Sequence, residues 1–572
     1  MFVNKESEKI GSSIALLAAC TTLAISPVYS YDAFTPLKLV FLSALGMISG
    51  FYFLKNFTNL PVKIGKVATV VVVCLLINSL IILLMSKITF IQAFYGISGR
   101  YTGFLTYISL ILALIATAIV SSFSVRKKVL NSLIFCGVLS VIYSFIQYLG
   151  KDFFQWDSTA GSQVIGFLGN PNFLSSFLAL IATAVFAKLI YGKKSLVLTV
   201  FYISIIIGAI LGLIGANSTQ GFLLIVLGFT IVIYFYAHYN FKSRTPSRVV
   251  LFGSTAGIAG GMLDIFQKSP WDSFLYGETI SFRGDFWEAG WKMTLSNPIF
   301  GVGFDGYLNH YRRSRDIITA SRPSSEIPTD SAHNVLLDYA SNGGFIYLIL
   351  NVILLGLILK SGLKYLRKMD KFEPNFVAIF AIWIGFTVQS IISINQLGLV
   401  VWGWVFGGLI LGAKYNEDDI GKLRLNNSNL SRKKTGIDTF TVVITIIGLV
   451  GSMIAWPILR ADHQFKLAID SKKALALYNA ANSWPPITKK MILVTAVLDQ
   501  NKIYKEAKIL SQRTVQISPD SFEAWIIYAN NPLVTDSEMA EIKKQLLRLD
   551  PNITKLGGVD KFLAEKLADP TE

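Results

Sequence analysis

VATVVVVCLLINSLIILLMS, residues 67–86, is a run of twenty residues without a charge. The hydrocarbon core of a bilayer is about 30 Å thick, and a helix rising 1.5 Å per residue needs about 20 mostly apolar residues to cross it. The run therefore reads as a membrane-spanning helix, and it has company. Comparable runs occupy 12–30, 37–54, 102–123, 129–149, 172–190, 196–215, 221–239, 343–360, 375–393, 397–413 and 437–457, with a shorter, Gly-rich candidate, VVLFGSTAGIAGGML, at 249–263. Composition agrees: 53% of the 572 residues are hydrophobic, 15% are charged and the mean hydropathy is +0.53, whereas a soluble chain of this length needs more charge to cover its surface. The expected fold is all-α, a polytopic membrane protein with about 12–13 transmembrane helices. The segment MFVNKESEKIGSS before the run at 12–30 is not followed by a small-residue cleavage site, so that run reads as a first helix and not as a signal peptide.

The formal charge of +17 does not describe a nucleic-acid surface, because the Lys and Arg fall in short clusters between apolar runs with no aromatic ladder beside them. With all thirteen runs counted as spans, every second loop is basic: Lys55, Lys63, Lys66; Arg126, Lys127, Lys128; Lys188, Lys193, Lys194; Lys242, Arg244, Arg248; Lys360, Lys364, Arg367, Lys368, Lys371; and Lys414, Lys422, Arg424, Arg432, Lys433, Lys434. The alternate short loops hold only Lys38, Lys87, Arg100 and Lys151. Cytoplasmic loops carry the excess of Lys and Arg, so the basic loops are expected inside and read as topogenic charge. Residues 31–36, 87–101, 150–171, 216–220, 264–342 and 394–396 then face outward together with the C-terminal domain, and function is sought among them. Dropping the short run at 249–263 would put the later basic loops on the wrong side. The three cysteines, Cys20, Cys74 and Cys136, each lie inside an apolar run and read as packed or lipid-facing thiols, with neither disulfide nor metal-ligand spacing.

The one long polar insertion, 264–342, is too rich in Trp, Tyr, Gly, Arg and carboxylates to be a passive connector. RGDFWEAGWKM at 283–293 has a helical pattern, SNPIFGVGFDGY at 296–307 supplies a turn with close backbone approaches, and HNVLLDYASNGG at 333–344 restarts a helix. Arg283 opening a Trp-rich helix, the NPIFGVGFDGY turn and the His333–Asn334 pair before GGFIYL together resemble the O-antigen ligase and O-antigen polymerase superfamily, which includes bacterial protein O-oligosaccharyltransferases. FYGISGRYTGFLTYISL at 94–110, GFLGNPNFLSSFLAL at 166–180 and SINQLGLVVWGWVFGGLILG at 393–412 are similar to family segments as well.

The resemblance implies a GT-C-type glycosyltransferase of the cytoplasmic (inner) membrane. Such an enzyme moves a glycan from a polyprenyl-diphosphate carrier to an acceptor hydroxyl, by a metal-independent, inverting displacement and without a cofactor. A leaving diphosphate gains negative charge, which planar guanidinium donors stabilise, and Arg283 and Arg100 are the candidates. An acceptor hydroxyl needs a group of near-neutral pKa to orient or deprotonate it, and His333 stands in the family-like HN motif. Asn170, Asn172, Gln220, Asn334 and Gln396 are candidate donors to sugar or phosphate oxygens. Each has a plainer reading: His333 as a helix-entry residue bonded to a nearby carbonyl, Arg283 as an interfacial anchor, Asn170 and Asn172 as turn formers about Pro171. Arg312, Arg313 and Arg315 read as a solvated or lipid-headgroup face. NSTQG at 217–221 departs from the family, which often carries an Arg where this chain has Gln220; either Arg100 supplies that charge or the carrier is held differently. Asp32 in SYDAFTP is a rival catalytic carboxylate, although the sequence favours its plainer reading as a residue ending a helix at a Pro-containing turn. No DxD pair or His/Cys ligand set is found outside the apolar runs, so no metal is expected.

Residues 1–457 form the expected membrane domain and 458–572 a water-soluble, extracytoplasmic one. In the latter, YKEAKILSQRTVQISPDSFEAWIIYA at 504–529 has Ala507, Pro519 and Trp525 at the spacings of a tetratricopeptide-like hairpin, with a degenerate copy ending at LLRLDPN. The acceptor stays open among lipid A core, a growing glycan and a protein hydroxyl, so ligase, polymerase and oligosaccharyltransferase activities all remain. A transporter or lipid flippase and a membrane scaffold are the rival classes. The spans hold few central charges and show no inverted repeat, against transport, and a scaffold leaves Arg283 and His333 without a role.

Overall fold

In the computed structural model, which describes residues 5–154, 156, 164–241, 245, 253, 278–321, 329–413 and 438–568, every apolar run named above forms a helix except 249–263, which but for Gly253 lies outside the described residues. The basic residues Lys242, Arg244, Arg248 and those from Lys414 to Lys434 lie outside them too. No strand occurs among the described residues.

The N-terminal half supplies α1 (Lys5–Leu23), α2 (Pro36–Lys55), α3 (Leu60–Ile64), α4 (Lys66–Leu84), α5 (Phe90–Tyr95), α6 (Phe104–Val120), α7 (Phe123–Tyr148), α8 (Pro171–Leu189), α9 (Leu196–Ala216) and α10 (Thr219–Asn240). The insertion forms α11 (Glu278–Ser296), α12 (Tyr307–Ser314) and α13 (Ile317–Ala320), followed by α14 (Val335–Lys368), α15 (Pro374–Gln389), α16 (Leu397–Leu411) and α17 (Thr439–Asp470). Eight of these, α2, α4, α7, α8, α9, α10, α14 and α17, are long and apolar enough to cross a membrane. The shorter α6, α15 and α16 are equally apolar but sit inside the bundle: all fifteen residues of α16 are buried, and α6 is buried on nearly every side, as expected of helices hydrophobic all round. By contrast α4 and α9 turn Val70, Ile77, Leu80, Val197, Val200 and Ile207 outward, an exposed apolar surface that suits lipid. The outcome is an all-α polytopic membrane protein.

Side-chain contacts sort the loops between the two ends of the bundle. At one end Lys55 meets Glu6, Lys128 meets Glu8 and Lys188 meets Asn131. Lys55, Lys128 and Lys188 belong to three of the clusters read as topogenic, but not every member of those three is solvated. Arg126 is buried, donates to the Tyr365 hydroxyl at 2.9 Å and stacks over Phe376, while Tyr365 donates to Glu373 at 2.7 Å. It is part of the core, a correction to its reading as loop charge. Lys38 likewise lies inside α2, fully buried, and donates to the Thr22 and Ala24 carbonyls left open at the end of α1.

The opposite end gathers residues 24–35, 86–103, 164–170, 297–321, 329–334 and 390–396. Asp305 organises much of it, because its carboxylate accepts from Ile97 N (2.8 Å), Thr102 N (3.2 Å) and Thr102 Oγ1 (2.7 Å) and so pins the loop that carries Arg100. The NPIFGVG turn docks into a break in α14. Gly344 has φ 76°, and Val302 N, Gly303 N and Phe345 N bond to Ser341 O, Asn342 O and Pro298 O at 2.9, 3.0 and 2.7 Å. A Cβ on Gly344 would run into the Ile299 carbonyl, so this break needs glycine.

From the same end α17 runs without interruption past residue 457 to Asp470, and Phe465 on its last turns belongs to the core of the C-terminal domain with Met491, Val494, Leu498 and Leu510. That domain consists of α18 (Ala474–Ala481), α19 (Thr488–Gln500), α20 (Tyr504–Ile517), α21 (Phe522–Ala529), α22 (Asp536–Leu549) and α23 (Val559–Ala568), each of the first five packing on its successor. It docks on the insertion through the arginines of α12 and its following turn. Arg315 Nη2 meets Asp550 Oδ2 at 2.6 Å with both side chains 1% exposed, Arg313 meets Asp520 at 3.0 Å, and Arg312 lies over the Phe522 ring at 4.3 Å. The expected solvated or headgroup face is therefore an intramolecular interface. Its acidic partners lie more than two hundred residues away in the chain, where no local reading finds them.

Candidate functional site

The residues at this end converge because helix starts do. Asn170 caps α8, its side chain accepting from Asn172 N at 2.9 Å, and Asn172 Oδ1 accepts from the Ser218 hydroxyl at 2.8 Å, which ties the start of α8 to that of α10. Gln220, buried in the first turn of α10, donates to Ser176 Oγ at 2.9 Å. Opposite in sequence, α11 buries Ala289, Gly290 and Met293 against Val302, Tyr307 and Ala332, a small apolar core that fixes its axis. Arg283 and Phe286 project from its first turns.

These elements enclose a pocket of about 280 Å³ lined by Asn170, Asn172, Phe173, Gln220, Arg283, Phe286, His333, Ser393 and Ile394. Five of the eight residues singled out from sequence thus share one cavity. His333 sits at φ 52° in the left-handed region, directly before the α14 cap, with its ring against Phe286 at 5.7 Å between centroids. Such a conformation in a non-glycine residue is held by its surroundings: Ser331 Oγ accepts from His333 N at 3.3 Å, Asp338 Oδ1 from Ala332 N at 2.8 Å and Ser390 O from Val335 N at 2.8 Å. Burial pushes the imidazole down to about 4, with the Arg283 and Arg100 charges adding to the effect and Asp330 opposing it. At neutral pH His333 is therefore uncharged, with one ring nitrogen free to accept. Burial also lowers the Arg283 guanidinium from its ordinary value, yet far too little to discharge it.

The other three stand outside this cavity. Arg100 Nη1 donates to Asp330 O at 2.7 Å and Oδ1 at 3.0 Å, so it braces the segment leading to His333 and contributes charge from behind. Asn334 accepts from Leu337 N at 3.1 Å and Gln396 from Leu399 N at 3.1 Å, both as helix N-caps. Asp32 accepts from Phe34 N at 2.9 Å and Thr35 N at 3.2 Å, the turn-forming arrangement weighed against its catalytic reading. Reading the sequence missed Asp305 and Asp330, which position Arg100. Asp305 lies inside the quoted SNPIFGVGFDGY stretch and Asp330 three residues before the His333–Asn334 pair, and the signal available was an acid at each place that a nearby arginine and bare amides would want.

Residues 174–352 match the family model described as O-antigen ligase. The match takes in α8 from Leu174 onward, α9, α10, the insertion and the His333–Asn334 pair, and it supports glycan transfer of the ligase or polymerase kind in general, by an enzyme of the glycosyltransferase sort. A comparison with curated proteins finds no match.

Proposed function

We propose that the chain transfers a glycan from a polyprenyl-diphosphate carrier to an acceptor hydroxyl at the membrane face bearing the C-terminal domain, and that this face is the outer side of the cytoplasmic membrane. The observation that carries the reading is the pocket itself: a guanidinium, a neutral imidazole and three carboxamides meet at helix ends, and Gln220, Arg283 and His333 among them fall within the stretch matching the O-antigen ligase model.

In this reaction the acceptor oxygen forms a bond to the anomeric carbon from the face opposite the diphosphate. The anomeric C–O bond breaks with its electron pair leaving on the diphosphate, and configuration inverts. Arg283 binds the departing diphosphate, where a bidentate fork gains most as charge develops. His333 orients the acceptor hydroxyl and takes its proton. An imidazole at about 4 is a weak base, so its role before donor binding is orientation; a bound diphosphate offsets the two arginine charges and raises it towards the range useful for proton removal. Gln220 stands where the resemblance expects an arginine, which leaves Arg283 as the cation of the pocket, with Arg100 as a braced charge behind it. Asn170 and Asn172 spend their carbonyl oxygens on the protein and have N–H donors left for sugar or phosphate oxygens. The C-terminal helices, read as tetratricopeptide-like, present the acceptor, whose class is a lipid-borne glycan, a growing glycan or a protein hydroxyl. No metal takes part in this scheme.

Transfer from purified undecaprenyl-diphosphate glycan to these acceptors, by full-length protein in nanodiscs, tests it. Arg283→Ala is expected to lose about 10²- to 10³-fold and His333→Ala about 10²- to 10⁴-fold, Arg283→Lys should rescue little, and a chelator should change nothing. Near-normal transfer by His333→Ala, with loss in Asp32→Ala, would move the site to the first loop.

A further inference from the structure

A second cavity, about 810 Å³, lies between the insertion and the C-terminal domain. Lys87, Lys292, Arg313, Arg315 and Arg548 line it with His310, and no carboxylate is among the described residues that line it. The acids nearby are turned to the cations' other sides: Asp520 is shared by Arg313 and Arg548, Asp550 holds Arg315, and Glu288 meets Lys292 along α11. Five cations facing three such acids leave the concavity positive, and a concave positive site concentrates anions. Burial, and next the Arg313 charge, push His310 down to about 4, so it offers a neutral ring at pH 7. Arg313 Nε is buried with no hydrogen-bond partner among the described residues, a donor still to be satisfied. Lys87 Nζ leans on Asn297 Oδ1, a neutral acceptor that leaves its charge uncompensated.

The cavity also has an apolar lip. Leu295 lines it and is exposed, and Trp291 and Ile299 are exposed nearby in sequence, the residue types that sit where headgroups meet acyl chains. It is separate from the first pocket. Arg283 and Lys292 lie on the same helix, about 14 Å apart at 1.5 Å per residue.

We propose that this cavity is a second anion site, taking a phosphate-type group carried either by a lipid headgroup or by a soluble phosphorylated ligand, and that its occupant bridges the insertion to the C-terminal domain through Lys87, Lys292, Arg313 and Arg548. Ligands of this chemistry match the donor set, since guanidinium and ammonium groups both bind phosphate oxygens and the volume accommodates a phosphate with an attached sugar or glycerol. The site does not depend on the glycan-transfer reading, because nothing in its chemistry involves a polyprenyl donor.

The test uses full-length protein in phosphatidylcholine nanodiscs carrying Arg283→Ala, so that the first pocket's guanidinium contributes nothing. One arm titrates inorganic pyrophosphate by isothermal calorimetry; the other measures retention of short-chain phosphatidylglycerol against phosphatidylcholine by native mass spectrometry. Each lost charge-assisted contact is expected to weaken binding about 10- to 100-fold, so Lys87→Gln/Lys292→Gln should raise the dissociation constant at least tenfold, while Lys87→Arg/Lys292→Arg keeps it within a few-fold. Both lysines leave the Arg313–Asp520 and Arg315–Asp550 pairs untouched, and an unchanged unfolding midpoint shows that the fold is intact. Binding of pyrophosphate alone assigns a soluble ligand, and selective retention of phosphatidylglycerol assigns a headgroup. Binding of neither probe, or binding that the glutamine pair does not weaken, overturns the proposal. Because no donor glycan is present, that failure would leave the transfer reading standing, and failed transfer would leave this site standing.

Discussion

Replacing Asp550 by Asn isolates the contact that docks the C-terminal domain. Its carboxylate meets Arg315 at 2.6 Å and Arg312 at 3.8 Å, and the Asp550 and Arg315 side chains are each 1% exposed. Removing one partner of a buried pair leaves an uncompensated buried charge and costs about 3–5 kcal/mol, whereas replacing both costs far less. At about 1.4 kcal/mol per factor of ten, Asp550→Asn should cut hydrogen-exchange protection across α12 and Val559–Ala568 by two to nearly four powers of ten wherever exchange follows undocking. Arg315→Met/Asp550→Leu should recover most of it. Protection in α19 and α20 should hardly move, because their apolar core with Phe465 makes no use of the pair. If the single variant loses less than a factor of ten, or the double variant is worse than either single one, the interface does not rest on this pair.

If His333 is the proposed acceptor of the hydroxyl proton, a profile of kcat/KM against pH should be flat through neutrality and fall as pH drops through about 4, where burial places the imidazole. A limb near 6.5 would mean the ring is solvated. Asp305→Asn should lower transfer about 10-fold or more while leaving the unfolding midpoint within a few degrees, since it loosens the Ile97–Thr102 loop behind Arg100; unchanged kinetics would show that Arg100 needs no bracing. Lys38→Met should destabilise by about 2–4 kcal/mol, read from thermal unfolding, as two carbonyls at the end of α1 lose a charged donor; a neutral result would mean water replaces it. A single cysteine at Lys555, in a background lacking Cys20, Cys74 and Cys136, should react with an impermeant thiol reagent in intact spheroplasts, and labelling only after lysis would reverse the proposed orientation.

The membrane bundle was legible because apolar length is a local property: twelve of the thirteen runs can be checked against described residues, and each is a helix. The sharing of one pocket by Arg283, His333, Asn170, Asn172 and Gln220 was legible only through the order of short motifs, since the residues come from three separate segments. Asn334 and Gln396 looked like ligand donors, although an Asn or Gln immediately before an apolar run also signals a helix cap, and capping is where their oxygens go. Charges were the least legible. Arg126, Lys38 and the Arg312–Arg315 group look alike in sequence, and what separates a solvated cation from a buried one is a partner far along the chain: Tyr365 for Arg126, Asp550 for Arg315.

The break at Gly344 divides α14 into a short piece following His333 and a long piece facing lipid. A helix that crosses a bilayer tilts when the bilayer thins or thickens, and a continuous hydrogen-bond ladder would carry that tilt straight to its first residue. Here the ladder is interrupted: Ser341 O and Asn342 O of the short piece accept from Val302 N and Gly303 N, while Phe345 N, which opens the long piece, donates to Pro298 O. His333 is in that sense insulated from membrane thickness, so the same pocket geometry can persist in lipid mixtures whose hydrocarbon depth differs by several ångströms.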